Sequence, residues 1–135
     1  MINCYTDGSH LEGHSGSAAV IVDIEEHAIL RIVGRYIGEE SAIIAEVYAI
    51  KIALKEIESL HINPKHLRIC SDCQSAVDLC NGISESHIGK IDRILEDIDD
   101  LVSGFRKVEF QWVRAHNGNH YNELADMVAY SCAQG

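Results

Sequence analysis

Basic residues are scarce in this sequence: 11 Lys and Arg stand against 21 Asp and Glu, a formal net charge of −10. Phosphate affinity comes mainly from clustered Lys and Arg, so a broad basic nucleic-acid surface is excluded, and a polyanionic ligand would have to be met through metal ions. Proline occurs once, and no stretch is repetitive or of low complexity, which excludes a linker or disordered class. Long hydrophobic runs are missing as well. The longest uncharged ones, such as residues 17–22 and 42–45, are far too short to cross a bilayer, and no basic segment with an apolar stretch behind it opens the chain. The expectation is a cytoplasmic protein with no membrane segment. Paired cysteines are lacking: the five Cys are an odd number spread through strand and helix patterns, which predicts reduced, mostly buried thiols. Cys70-Ser71-Asp72-Cys73 has the look of a metal or redox knuckle, yet no second Cys-x-x-Cys or His pair lies at zinc-finger spacing.

What is present is 47% apolar residues in a chain of 135, long enough to bury roughly 68% of its unfolded surface as one domain spanning residues 1–135. Residues 2–6 read as a short strand ending on Asp7, with a Gly/Ser/His turn over 8–16 behind it; 18–24 and 28–37 read as two more strands of a meander. In residues 41–60, Ile43, Val47, Ile50, Leu54 and Ile57 recur at helical steps, and Asn63-Pro64 stops that helix. Residues 67–71 form a strand that again ends on a carboxylate, Asp72. A short helix over 74–81 closes at Gly82, and the Ile88-to-Val102 stripe predicts a third helix with a solvated acidic face. A fifth strand covers 107–114, with Val108, Phe110 and Trp112 on one side. A loop over 115–121 precedes a last helix to about Cys132. The order βββαβααβα implies an α/β fold with a five-stranded mixed sheet, the first and fourth strands parallel neighbours, and a crevice beyond their carboxyl ends holding Asp7 and Asp72.

Two more carboxylates can be placed by helical geometry. Glu46 lies near the buried stripe of its helix, where a pairing with Lys51 is the structural alternative. Asp126 is embedded among Leu124, Ala125 and Met127 and shares a face with Asn122, four residues back. Asp72 could instead cap the helix that follows it, and Asp126 could be a surface residue. Several carboxylates in one crevice repel each other until protons or cations relieve them, and oxygen-only ligands favour hard divalent ions such as Mg²⁺ or Mn²⁺. Two such ions suit in-line phosphoryl displacement.

Four blocks, Tyr5-Thr6-Asp7-Gly8-Ser9, Ala45-Glu46-Val47-Tyr48-Ala49, Ser71-Asp72-Cys73-Gln74-Ser75-Ala76 and His116-Asn117-Gly118-Asn119-His120-Tyr121-Asn122-Glu123-Leu124-Ala125-Asp126, jointly resemble type I ribonuclease H over nearly the whole chain. The resemblance implies a ribonuclease H-like fold and hydrolysis of the RNA strand of RNA/DNA hybrids, leaving 5′-phosphate and 3′-hydroxyl ends. It implies that Asp7 bridges two Mg²⁺ ions, with Mn²⁺ as a substitute, that Glu46 and Asp72 hold one ion and Asp126 the other, and that His116 assists proton or product movement. It implies that Asn122 orients Asp126, and that Gln74 and the backbone at Gly8 and Ser9 contact the minor groove, where RNA shows its 2′-hydroxyls. The chain departs from the family in residues 41–45, which lack the usual Asn before the helical Glu, and in residues 82–89, where many members carry a basic handle. The expected protein is a short form without handle or hybrid-binding module, monomeric, with weak salt-sensitive affinity or a partner or fused domain that supplies it. A DNA-acting nuclease of the same fold and a catalytically retired hybrid-binding module are the alternatives.

Overall fold

The computed structural model describes residues 1–115 and 119–135. Its elements run β1 (Ile2–Leu11), β2 (His14–Asp23), β3 (Ala28–Gly38), α1 (Ala42–Ser59), β4 (Leu67–Ser71), α2 (Gln74–Cys80), α3 (Gly89–Val102), β5 (Val108–Trp112) and α4 (His120–Ala133), in the expected order βββαβααβα. The sheet is ordered β3-β2-β1-β4-β5, with β1 antiparallel to β2 and parallel to β4 as the sequence predicts.

β2 is buried from Ser15 to Val22 without alternation, because α1 covers one face of the sheet and α4 the other. The larger core cluster joins Cys4 and Ile21 of the sheet to Val47, Ile50, Leu54 and Ile57 of α1 and Ile91, Ile94 and Ile98 of α3. A smaller one on the α4 side holds Tyr5, Val20, Val22, Cys70 and Ala125. The acidic positions of α3 lie outward, apart from a half-buried Asp92. Among the described residues no helix is long and apolar enough to cross a membrane.

Three expectations need correction. β1 does not stop at Asp7: it continues to Leu11, and β2 begins at His14 rather than Ala18, so the presumed long turn is a two-residue hairpin. Its turn residues Glu12 and Gly13 both have positive φ, 51° and 82°, the geometry that matches strand twist in tight hairpins, here built without the Asn-Gly signal. Asp7 instead marks where the parallel ladder ends. Its neighbour Thr6 pairs with Ser71, the last residue of β4, while Asp7 itself pairs only with Ala18. Finally, Val108 and Phe110 pack on the core, but Trp112, at the strand end, is 43% exposed.

Candidate active site

β1 outlasts β4 by several residues, so a notch opens on the β4 side of the sheet beside Asp7. Asp7 is 4% exposed there. α1 brings Glu46 to the same notch by an unusually close approach. A Cβ on Gly8 would meet Ala45 C and Glu46 N at 2.6 Å, so only glycine lets the helix backbone rest on the strand. The Gly8 N–H then donates to Glu46 Oε1 at 2.7 Å and to Asp7 Oδ1 at 2.9 Å, fixing both carboxylates from one amide. Ser17 Oγ donates to Ala45 O at 2.7 Å and ties the same turn of α1 to β2.

Asp72 follows the last residue of β4, and its main chain is held from two sides. The Trp112 indole donates to Asp72 O at 3.1 Å, and Val113 N–H donates to Ser71 O at 2.9 Å. Oxygens of Asp7, Glu46 and Asp72 lie within 4.8 Å of one another. Burial above all, then the Glu46, Asp72 and Asp126 carboxylates, pushes the Asp7 carboxyl up to about 9. Burial and Asp72 push Glu46 up to about 7, against the pull of the Gly8 N–H.

The structure therefore brings together Asp7, Glu46 and Asp72, with Asp126 reaching Asp7 from α4. Two structural alternatives fall away. Lys51 pairs with Asp97 rather than Glu46, and the N-cap of α2 is Cys73 rather than Asp72. Asp126 is exposed on its helix, as a surface residue would be, yet its carboxylate is near enough to Asp7 to help push that carboxyl up. Asn122 is 3% exposed and its Oδ1 has no partner among the described residues; its N–H donates to Asn119 Oδ1, the cap of α4. Ser9 is half-buried opposite Gly16, and Gln74 is exposed at the start of α2. The expectation for His116 falls outside the described residues.

Three contributions were not anticipated. Gly8, expected as a backbone contact to substrate, acts as the seat of α1, Trp112 as a brace on Asp72, and Cys73 as a neighbour of Glu46. Only Trp112 left a trace in the sequence, as an aromatic at the end of an otherwise inward-facing row.

Opposite Glu46 on α1, a groove of about 410 Å³ between β3, α1 and α3 gathers Arg35, Lys51, Lys90 and Arg93, four of the chain's 11 Lys and Arg. Arg35 pairs with Glu56, Lys51 with Asp97 and Lys90 with Glu40, while Arg93 has no ion pair among the described residues. A strip of four cations, three of them paired, thus lies between β3, α1 and α3.

The profile of a family described as reverse transcriptase-like matches residues 5–132. Among solved structures, the chain is similar to the N-terminal RNase H domain of a Mycobacterium tuberculosis protein, at TM-score 0.87 and 19% identity, covering 98% of each chain. It is similar to RNase H1 of the halophilic archaeon Halobacterium salinarum, at 0.87 and 20%, covering 98% of this chain and 97% of that one. It is also similar to LC11-RNase H1, solved in complex with an RNA/DNA hybrid, at 0.88 and 19%, covering 99% and 97%. At these identities the likeness establishes the ribonuclease H fold. No curated protein matches.

Proposed function

This chain belongs to the reverse transcriptase-like family, and on that premise we propose that it is a divalent-metal-dependent endonuclease that hydrolyses the RNA strand of RNA/DNA hybrids, leaving 5′-phosphate and 3′-hydroxyl ends. The observation that carries this reading is the convergence of Asp7, Glu46 and Asp72 within 4.8 Å, with Asp126 at Asp7. A partly buried carboxylate cluster, in which burial and then the neighbouring carboxylates push Asp7 and Glu46 toward protonation, is short of positive charge, and hard Mg²⁺ or Mn²⁺ fits that oxygen donor set. When bound, two such ions supply an activated water and neutralise the departing oxygen.

The chain's own residues set the geometry. Asp7, which lies among the other three carboxylates, would serve both ions. Glu46 and Asp72 would hold one ion and Asp126 the other. The Gly8 amide fixes the rotamers of Asp7 and Glu46 before any ion arrives, so little reorganisation remains at the moment of reaction. Asn122, buried four residues before Asp126 with its Oδ1 unpartnered among the described residues, would orient Asp126. The positive strip of Arg35, Lys51, Lys90 and Arg93 receives backbone phosphates of the strand that is not cut, while Ser9 and Gln74 face the minor groove, where 2′-hydroxyls separate RNA from DNA. The protein acts as a monomer in the cytoplasm.

The test is cleavage of a labelled RNA/DNA hybrid beside matched RNA/RNA and DNA/DNA duplexes, with Mg²⁺, Mn²⁺ or EDTA at low salt. Metal-dependent cutting of the hybrid's RNA strand alone is expected, with Asp7→Asn reduced to background while hybrid binding persists. Cutting of the DNA duplex would move the reading to a DNA-acting nuclease. Equal cleavage by wild type and Asp7→Asn would sink the metal site.

A further inference from the structure

A second groove, of about 580 Å³, lies on the far flank of α3, between that helix, the end of α2 and β5. Its floor is apolar, with Leu79, Leu95 and Phe110 prominent. Its rim carries Asp92, Glu96 and Asp99, which at steps of four and three stand on one side of α3. Among the described residues no Lys, Arg or His lines the groove, and none of the three carboxylates makes an ion pair, although α3's other flank pairs Asp97 and Lys90 with α1 and the segment before it. Repelling like charges are thus left uncompensated beside an apolar trough. β5 is the edge of the sheet, but the Asn81 side chain donates to Phe110 O at 3.2 Å on its free side, so an added strand is blocked there and recognition must run through side chains.

We propose that this groove docks a cationic amphipathic segment of a partner protein, with apolar side chains seated on Leu79, Leu95 and Phe110 and Lys or Arg facing Asp92, Glu96 and Asp99. The occupant's chemistry follows from charge complementarity between an unpaired acidic rim and a basic flank around an apolar anchor. It deepens the hybrid-cleaving reading, on which it rests for its purpose: a strongly acidic chain gains phosphate affinity by recruiting a basic partner. Binding can be measured without hybrid or metal, so failure of docking and failure of that reading are distinguishable.

The probe is a synthetic labelled peptide of about 14 residues with Leu at helical a and d positions and Lys elsewhere, beside its Leu/Glu counterpart, titrated by fluorescence anisotropy at about 150 mM salt. The expected result is binding of the Lys peptide at least about tenfold tighter than the Glu peptide, weakened about tenfold by Asp92→Asn/Glu96→Gln/Asp99→Asn. The control Glu12→Gln/Glu26→Gln/Glu58→Gln removes as much charge from other exposed positions and should leave affinity within about twofold. Equal weakening by both triple variants would reduce the effect to net charge and overturn the proposal. So would absence of saturable binding, or a dimer in sedimentation that the rim variant dissolves, since the occupant would then be a second copy.

Discussion

A methyl group on Gly8 would lie 2.6 Å from the backbone of α1 at Ala45 and Glu46, atoms that cannot swing aside as a flexible side chain would. Gly8→Ala should therefore push the helix off the strand, costing about 1–3 kcal/mol in urea unfolding and most of the cleavage rate, because Glu46 moves with the helix. Ser9→Ala, one residue on, should stay within about 0.5 kcal/mol. The carboxylates were legible in the sequence since each broke a local pattern: Asp7 in a β-prone run, Glu46 at an apolar boundary, Asp126 amid Leu124, Ala125 and Met127. Gly8 was read as part of a turn and a substrate contact, because a glycine needed for a turn and one needed for close packing look the same in a single chain. The Cys73 contact with Glu46 was hidden for a related reason, since Cys-x-x-Cys spacing drew attention to metal rather than to a neighbour from another element.

At the scale of elements, α4 reaches β2 as closely as α1 reaches β1: a Cβ on Gly16 would collide with Ala129 O and meet Ala133 N at 2.5 Å. Gly16→Ala should displace α4 and draw Asp126 away from Asp7, with a stability loss of about 1–3 kcal/mol and a drop in cleavage larger than unfolding explains, read at a temperature where the variant remains folded. Element order and the parallel β1–β4 pairing were readable because helical and strand periods alternate cleanly. Strand lengths were not. Polar residues from Gly8 to Gly16 imitate a loop, yet Ser15 and Ser17 are buried and bonded, to Glu40 O and Ala45 O, so they satisfy their hydroxyls inside the sheet.

For the molecule as a whole, charge sets the conditions of stability and binding. The folded-state values of Asp7 and Glu46, about 9 and about 7, stand above their ordinary 3.8 and 4.5. Their contribution is fully present below about pH 4 and is lost as pH rises through 7 and then 9, because the unfolded chain ionises these groups more readily. Without metal, the melting temperature should fall between pH 5 and pH 9. Asp7→Asn should flatten that fall and raise the midpoint at high pH by at least about 3 °C, and millimolar Mg²⁺ or Mn²⁺ should flatten it for the wild type alone. Hybrid affinity should be steeply salt-dependent despite the net charge of −10. Replacing Lys90 and Arg93 with Gln should lower the slope of log affinity against log salt by about 2, whereas a slope unchanged by the pair would remove the strip from the substrate path. The four carboxylates come from β1, α1, the residue just after β4, and α4, so they span the chain from position 7 to position 126. The meander and first helix can pair early in folding, but the cluster stays one member short until α4 docks.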